Sequence, residues 1–324
     1  MPNINLYSKR YIFFILSIVI MATGIITYFA KGFVFDIQFQ GGTVIEMRAN
    51  KDTFNATNVQ EIQSQVSEIV ESSIGKSAYV QKSTTYDVNN KSDFDIIKIS
   101  IGSDETLSSG EIQKVEQAVI TELKLTSQDP VVSEESVEPY IGKEISQNGV
   151  KAVIIAAILI ILYIWWRFKI VSGLSLGVFG VLGLLHDIGV MITVYLLFGI
   201  PVNDSFIAAM LTIFGYSMND TIVIYDRIRE NTKLMKKLPF PELVNTSIIQ
   251  TMNRSINTTV TVLMAVITIF VFGKINAIES ITEFSFPLII GLVSGTYSTI
   301  FITTPLWVMW KESQKKNKVK AAKA

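Results

Sequence analysis

Six long blocks of apolar residues divide this chain into short polar segments and one long polar segment. The blocks cover residues 11–30, 149–166, 171–198, 205–225, 255–272 and 283–310, and each is long enough to cross a bilayer core as a helix. Apolar residues make up 49% of the chain, and they gather in these blocks instead of recurring at amphipathic spacing. The pattern predicts a polytopic α-helical membrane protein with six transmembrane helices.

The long polar segment, residues 31–148, has the periodicities of a small α+β domain. Alternation in 34–48 predicts two strand pieces that meet at Gly41-Gly42, and 77–87, 93–101 and 130–140 predict further strands. Apolar residues at helical spacing predict two helices, with the inner stripes Val59, Ile62, Val66, Ile69, Val70 and Ile112, Val115, Val119, Leu123. The resulting order βαββαβ predicts a ferredoxin-like domain between the first two membrane helices.

The basic residues between the blocks predict the orientation in the membrane. If residues 1–10 lie in the cytoplasm, the two short outer loops at 199–204 and 273–282 contain one basic residue between them, Lys274. The basic tail at 311–324 then lies in the cytoplasm. Lysine and arginine concentrate on the cytoplasmic side of membrane proteins. We therefore expect both termini in the cytoplasm and the domain at 31–148 outside it. The first block is longer than a signal peptide's apolar run and has no small-residue cleavage site after it, which predicts an uncleaved anchor.

Charge is strongly segregated along the chain, although the formal net charge is zero. Residues 32–148 contain 19 acidic and 9 basic side chains, a formal net charge of −10. Such a surface repels nucleic-acid phosphates, so we expect no nucleic-acid partner and a domain that contacts other proteins. With no cysteine and a single histidine we expect no disulfide, no metal ion and no cofactor.

Asp220 stands out because it lies inside the fourth apolar block. An acidic side chain at the centre of a membrane helix costs roughly 2.5–3.5 kcal/mol to insert, and such residues mark ion or proton paths. Arg254 stands at the cytoplasmic start of the fifth block, directly before Ser255, and the antiparallel course of the two helices brings it to nearly the depth of Asp220. We predict an ion-coupling site at Asp220 and Arg254, with a static clamp between helices as the alternative. Neighbouring polar residues are predicted to support the carboxyl: Tyr216, Ser217, Asn219 and Thr221.

His186 and Asp187 form a second ionisable pair, near the middle of the third block. His186 is the only histidine in the chain. Two interpretations stay open: a structural histidine whose hydrogen bonds are satisfied, or a proton relay inside the membrane.

Small residues in the third and sixth blocks predict close helix packing. The pairs are Gly173-x-x-x-Gly177 and Gly291-x-x-x-Gly295. Ser294 and Ser298 belong to the second of these faces and are interpreted as packing residues. Pro287 and Pro305 each lack a backbone donor and predict kinks or ends in the sixth block.

Long segments in every part of the chain resemble those of the SecF members of the SecD/SecF protein-export family. The similar segments are FDIQFQGGTVIEM, VEPYIGKEISQNGVKA, LLHDIGVMITVYLLFGIPVN, GYSMNDTIVIYDRIREN, SINTTVTVLMAVITIFVFG and GLVSGTYSTIFITTPL. The resemblance implies a six-span half of a transporter of the resistance-nodulation-division type in the bacterial inner membrane. It also implies assembly with SecD, the SecYEG channel and YajC, and action on a translocating preprotein within the lipid bilayer.

In that family the aspartate of the GYSxNDT motif and the arginine that opens the fifth span are tied to ion-driven work, and here they are Asp220 and Arg254. We therefore expect a subunit that uses a proton or sodium gradient in late, ATP-independent steps of export. No Walker motif or nucleophile–base set indicates an enzyme. The alternatives are a static scaffold of the translocase and half of a small-molecule exporter.

Overall fold

The computed structural model describes residues 5–50, 53–54, 58–87, 92–102, 106–126, 130–168 and 173–321. Within these ranges six helices are long and apolar enough to cross a membrane: Arg10–Lys31, Pro139–Arg167, Gly173–Phe198, Asp204–Leu234, Phe240–Ile275 and Glu279–Asn317. The prediction of six membrane helices is confirmed for this part of the chain. The predicted start of the third block, at 171–172, lies outside the described residues.

The elements follow one another in a simple order. Helix α1 (Arg10–Lys31) leads into a group made of α2 (Ile37–Gln40), β1 (Gly42–Arg48), α3 (Val59–Ile74), β2 (Tyr79–Asp87), β3 (Ser92–Gly102), α4 (Ser109–Glu122) and β4 (Val131–Val137), here called the sheet domain. The chain continues through α5 (Pro139–Arg167), α6 (Gly173–Phe198), α7 (Asp204–Leu234), α8 (Phe240–Ile275), α9 (Glu279–Ser298) and α10 (Thr304–Ala321). A π-helical turn at Thr299–Thr303 lies between the last two.

The four strands form one antiparallel sheet in the order β2-β3-β1-β4. Helices α3 and α4 pack on it through the predicted apolar stripes, whose central residues Val66, Val70, Val115 and Val119 are fully buried. They meet a row of branched side chains from β1 and β3, which includes Ile45, Ile97, Ile99 and Ile101. This core gives the domain its own hydrophobic interior without disulfides.

The segment before β1 differs from the prediction of a strand at 34–40. Ile37 and Phe39 are both buried, as in a strand, but Ile37–Gln40 is the helical turn α2. The Asp36 carboxylate caps this turn by accepting a hydrogen bond from the Gln38 N–H over 3.0 Å. Gly41 follows with a φ of 79°, and a Cβ there would collide with the backbone at the start of α5. A single helical turn packed against α5 therefore buries the two apolar residues that the alternating pattern predicted to be buried in a strand.

Three helices form the buried centre of the membrane domain. Helices α6, α7 and α9 bury about half of their apolar cores, whereas α1, α5 and α8 lie outside them and expose most of their apolar side chains. Glycines permit close contacts at the centre: Gly183 lies against Thr303, and Gly291 lies against Ile213. The predicted role of small residues in packing is confirmed at these positions.

The last membrane span is interrupted near Pro305. A proline ring clashes with the carbonyl four residues earlier and offers no N–H. The chain accommodates Pro305 by widening into the π-helical turn, where the Thr304 hydroxyl donates to the Thr299 carbonyl over 2.9 Å. The other predicted kink site, Pro287, lies inside α9 without ending it.

The segment that leads from α1 into the sheet domain is joined to the loop between α6 and α7 by backbone hydrogen bonds. The Val202 N–H donates to the Val34 carbonyl over 3.0 Å, and the Asp36 N–H donates to the Val202 carbonyl over 3.0 Å. The Tyr79 hydroxyl on β2 donates to the Gly199 carbonyl of the same loop. The domain therefore contacts the membrane helices directly, and not only through its two covalent connections.

Lys98 on β3 supplies the ionic part of this interface. Its Nζ lies 3.5 Å from Glu279 Oε1 on α9 and 3.9 Å from Glu46 Oε1 on β1. Burial of Lys98 acts to lower its pKa, but the surrounding carboxylates, led by Glu279, outweigh burial and raise the pKa. Lys98 is therefore charged at neutral pH and attracts both carboxylates.

Candidate functional site

Asp220 on α7 is buried where α7 meets α8 and α9, with 3% of its surface exposed. Among the described residues it receives one long hydrogen bond, which the Thr296 hydroxyl donates to Oδ2 over 3.5 Å. The buried Ser255 hydroxyl lies beside the carboxyl but outside hydrogen-bond geometry. The Thr259 and Thr296 hydroxyls lie 2.7 Å apart and link α8 to α9 by a hydrogen bond. The Tyr216 hydroxyl donates to the Thr259 hydroxyl over 3.2 Å. Hydroxyl groups therefore surround Asp220 but leave it short of donors.

Arg254 on α8 does not pair directly with Asp220 in this conformation. Its side chain is exposed, and no described carboxylate lies within the 4.0 Å of an ion pair. Ser255 occupies the inward side of α8, and the next residue on a helix points about 100° away, so Arg254 turns outward. The close contact predicted from equal depth is absent here.

The predicted supporting residues divide into separate groups. Tyr216 lies four residues before Asp220, and its hydroxyl donates a hydrogen bond to Thr259, one of the hydroxyl residues near the Asp220 carboxyl. Ser217 and Thr221 face elsewhere: the Ser217 hydroxyl donates to Asp187 over 3.0 Å, and the Thr221 hydroxyl lies 3.0 Å from that of Thr299. Ser217 and Thr221 are therefore rotated by one residue, about 100°, around α7 from Tyr216 and Asp220, and the predicted support of the Asp220 carboxyl by Ser217 and Thr221 is absent in this conformation.

Asn219 also departs from the predicted group. Its side chain is exposed on the outer surface of α7, and within the described chain it makes no hydrogen bond to the Asp220 carboxyl. The set that borders Asp220 therefore comes from three helices instead of one.

Asp187 on α6 has the opposite environment to Asp220. Only 1% of its surface is exposed, and three serine hydroxyls donate to its carboxylate. Ser294 donates to Oδ1 over 2.7 Å, while Ser217 and Ser298 donate to Oδ2 over 3.0 Å each. Gly295 leaves room for this arrangement, because a Cβ there would press on Ser217. Asp187 thus holds α6, α7 and α9 together.

His186 extends this network to α1. Its Nδ1 lies 3.4 Å from Asp187 Oδ1, and its Nε2 lies 2.9 Å from the Ser17 hydroxyl. Ser17 in turn lies 3.2 Å from the Tyr297 hydroxyl, which donates to the Phe13 carbonyl over 2.7 Å. The sequence placed His186 and Asp187 together but did not supply these partners.

The sequence pattern alone does not assign the hydroxyl groups of α8 and α9 to the two carboxyls. Ser255 and Thr259 are four residues apart on α8, and Ser294 and Ser298 are four apart on α9. Residues at this spacing share a helix face, so serine and threonine repeating at i, i+4 inside an apolar block were the available signal. No group of three or more histidine, aspartate and glutamate side chains in the described ranges could hold a metal ion.

Three comparisons relate the chain to known proteins. The family described as "Protein export membrane protein SecD/SecF, C-terminal" matches residues 118–313. The chain is 34% identical to the protein translocase subunit SecF of Alicyclobacillus acidocaldarius, over 100% of this chain and 98% of that one. It is 35% identical to the protein translocase subunit SecDF of Thermus thermophilus, over 91% of this chain and 36% of that longer one.

A solved structure has the same fold. The crystal structure of SecDF from Thermus thermophilus, described as a translocon-associated membrane protein, aligns with a TM-score of 0.75 and 30% identity. The alignment covers 96% of this chain and 39% of that chain. Because the family match covers more than half of the sequence and the SecF relative aligns along its whole length, this chain belongs to the SecD/SecF family.

Proposed function

We propose that this chain is the SecF-like subunit of a bacterial protein-export complex that couples an ion gradient to late, ATP-independent steps of translocation. One observation carries the proposal: in a chain similar to translocase subunits along its whole length, Asp220 is buried and accepts one long hydrogen bond from the described residues. A carboxyl with so few donors suits reversible protonation, because its charged form lacks stabilisation in this conformation.

The proposed coupling step alternates between two arrangements of Asp220 and Arg254. The present conformation, with Arg254 turned outward, corresponds to a neutral Asp220 carboxyl. Loss of the proton leaves a buried carboxylate that attracts Arg254 and the Ser255 hydroxyl, which moves α8 relative to α7. Each elementary charge that crosses the membrane supplies ~2.3 kcal/mol per 100 mV, so a few ions per cycle are enough to drive this change.

The structure offers a route from this step to the sheet domain. Helix α7 begins directly after the loop that holds Val34 and Asp36 through Val202. Helix α9, which contributes Thr296 at the carboxyl, presents Glu279 to Lys98 at its other end. A displacement of α7 or α9 therefore reaches the sheet domain through direct contacts.

The sheet domain suits a ferredoxin-like, extracytoplasmic module. Its strand order β2-β3-β1-β4 with two helices is the arrangement expected of that fold. The basic residues of the intervening segments support cytoplasmic termini, and the similarity to bacterial translocase subunits supports a location in the bacterial inner membrane. In this position the domain would act with SecD on a preprotein that leaves the SecYEG channel, with YajC as a further subunit.

The proposed role is that of a transport subunit and not of an enzyme, with a proton or a sodium ion as the coupling ion and no other cofactor. A small-molecule exporter of the resistance-nodulation-division type needs a second six-span repeat, so this chain would be at most half of one. A static scaffold would give Asp220 and Arg254 no task beyond stability. Ion coupling and a static scaffold therefore predict different effects of replacing Asp220: loss of gradient-driven export in the first case, and loss of assembly or stability in the second.

The test is export into inverted vesicles that contain the chain with SecD and SecYEG. We expect Asp220→Asn to assemble with SecD and to lose gradient-stimulated export by about tenfold or more, because a carboxamide has neither a dissociable proton nor a negative charge to change during the cycle. Arg254→Met should have the same effect. The matched control is Asp204→Asn, an exposed carboxyl at the start of the same helix, which should retain export.

Imposing a proton gradient and a sodium gradient separately identifies the coupling ion. Full gradient-dependent export by Asp220→Asn would rule out the coupling role. If Asp220→Asn lowered the amount of assembled complex, and the complex that did assemble exported normally, the static scaffold would be supported.

A further inference from the structure

The Ser255 hydroxyl on α8 is buried, with 1% of the residue exposed, and has no hydrogen-bond partner among the described residues. A serine or threonine inside a helix often donates to the carbonyl three or four residues earlier. The other hydroxyl side chains of α8 all do so: Thr246, Ser247, Thr251, Thr258, Thr259, Thr261 and Thr268. Ser255 lacks this local bond, and its hydroxyl lies beside the Asp220 carboxyl instead.

A buried hydroxyl without a partner weakens the fold, because it has given up its hydrogen bonds to water and gained none. Buried polar groups in native proteins are nearly always hydrogen-bonded, so each exception calls for a physical reason. An alanine at position 255 would avoid the cost. A partner that is present in another state of the protein would explain why the hydroxyl is there.

Thr296, the described donor to Asp220, is poorly placed to stabilise a charged carboxyl. Its hydroxyl lies 3.5 Å from Asp220 Oδ2, but 2.7 Å from the Thr259 hydroxyl and 3.2 Å from the Leu292 carbonyl. Whichever hydroxyl donates in the contact between Thr259 and Thr296, the Thr296 proton has an acceptor nearer than Asp220. Ser255 therefore contributes the hydroxyl proton beside Asp220 that no described acceptor uses.

The charged and titratable side chains on the helices around Asp220 have other environments. Arg254 on α8 is exposed, and the Tyr216 hydroxyl on α7 donates to Thr259. Asp187 on α6 accepts from three serine hydroxyls, and α9 faces Asp220 with the hydroxyl of Thr296. Replacement of Ser255 by alanine changes no charge in this set. A change in the titration of Asp220 would therefore come from the lost hydroxyl.

We propose that Ser255 is a positioning residue that donates its hydrogen bond to the charged form of Asp220 and thereby sets the pH at which Asp220 releases its proton. While the carboxyl is neutral, the hydroxyl stays without a partner, as in this conformation. After proton loss, a rotation of the side chain or a small shift of α8 directs the hydroxyl to the carboxylate. The consequence for export rests on the proposed ion-coupling function, whereas the effect on proton binding is measured separately.

Infrared spectra of the full chain in lipid nanodiscs would follow the Asp220 carboxyl band from about pH 4 to 10 in sodium-free buffer. Asp220→Asn identifies the band. Ser255→Ala should move the midpoint of this titration to higher pH by about one unit, a tenfold change in proton concentration, because the charged form loses a donor. An unchanged midpoint would overturn the proposal.

The matched control is Ser285→Ala on α9, whose buried hydroxyl donates only to backbone carbonyls of its own helix. It should leave the Asp220 midpoint unchanged. Below the midpoint, where Asp220 is neutral, Ser255→Ala should unfold at a temperature no lower than that of the wild type, since the hydroxyl has no bond to lose. A Ser255→Ala chain that unfolds more easily under these conditions would show a structural bond in the neutral state and would also overturn the proposal.

Export from inverted vesicles separates this proposal from the proposed function. If Asp220 couples the ion gradient to export, the pH profile of gradient-stimulated export should move in Ser255→Ala in the same direction as the infrared midpoint. A shifted infrared midpoint together with full gradient-dependent export by Asp220→Asn would refute ion coupling and leave the role of Ser255 in proton binding supported. An unshifted midpoint with loss of export in Asp220→Asn would refute the role of Ser255 alone.

Discussion

Two aspartates in the same bundle show how surroundings decide what a residue does. Asp187 accepts hydrogen bonds from three serines and faces a histidine, whereas Asp220 accepts one long bond from Thr296. Both are almost completely buried. A carboxylate with several donors is stabilised in its charged form, and one without them is not. The first therefore suits a structural junction between helices, and the second suits reversible ion binding.

Removal of a single serine should reveal the structural role of Asp187. Ser294→Ala removes the shortest of its hydrogen bonds, 2.7 Å, and leaves a buried acceptor underused, so we expect a loss of about 1–3 kcal/mol in the free energy of unfolding. Denaturant unfolding in detergent micelles measures the change. The matched control is Ser285→Ala on the same helix, whose buried hydroxyl bonds only the backbone of α9 and whose loss should cost below about 1 kcal/mol. Equal effects of the two replacements would contradict this assignment.

At the scale of whole elements, α9 organises the membrane domain. It packs against α6, α7 and α8, and it contributes hydroxyls to both carboxyls through residues on different sides of the helix. The π-helical turn that follows it rotates the chain before α10 and places Thr303 against Gly183 of α6. Turns of this kind inside helices occur frequently at functional sites.

The contact at Gly183 gives a direct test of close packing. A Cβ at Gly183 would collide with the Thr303 side chain, so Gly183→Ala should lower stability by about 1–3 kcal/mol. Gly215→Ala is the control, because nothing lies within 4 Å of a Cβ at this exposed position on α7. It should be neutral or raise stability by about 0.5–1 kcal/mol through helix propensity. Thermal unfolding of both variants in the same lipid would separate the two effects, and equal melting temperatures would refute the packing argument.

At the scale of the molecule, the sheet domain is held by both covalent connections and by a polar interface. Its charged component is Lys98 with Glu279 and Glu46. The raised pKa of Lys98 means that folding or docking is stabilised by its protonation. This contribution is complete below the ordinary lysine value of 10.5 and is lost as the pH rises through the higher value of the docked state.

Lys98→Gln should loosen the sheet domain at neutral pH. Spin labels on β2 and on α8 would report a broader distance distribution than in the wild type, because Glu279 and Glu46 lose their shared cation. Lys82→Gln is the matched control, since Lys82 pairs with Asp95 within the sheet domain itself. In the wild type the contribution of Lys98 to this distribution should be constant from about pH 7 to 9 and be lost only above the ordinary lysine range. A Lys98→Gln distribution identical to that of the wild type would show that backbone contacts alone hold the domain.

Local periodicity was sufficient for much of this architecture. Val66, Val70, Val115 and Val119 lie at helical spacing and are fully buried. At 34–40, however, the buried positions Ile37 and Phe39 fit both a strand and a single helical turn, and only packing against α5 selected the turn. Residues i and i+2 share one face of a strand but point about 200° apart on a helix, so the turn buries both Ile37 and Phe39 only because it is covered on both sides, which the local pattern does not show.

The sequence by itself determined the six membrane helices, the family and the candidate status of Asp220, because a long apolar run and a charge inside it are visible without tertiary information. Only the tertiary structure decided which side chains meet each carboxyl. It turned Arg254 outward, gave Ser217 to Asp187 and brought Thr296 from α9 to Asp220. The physical reason is that these contacts depend on how helices distant in sequence rotate and pack against one another, and spacing within one helix does not specify that rotation.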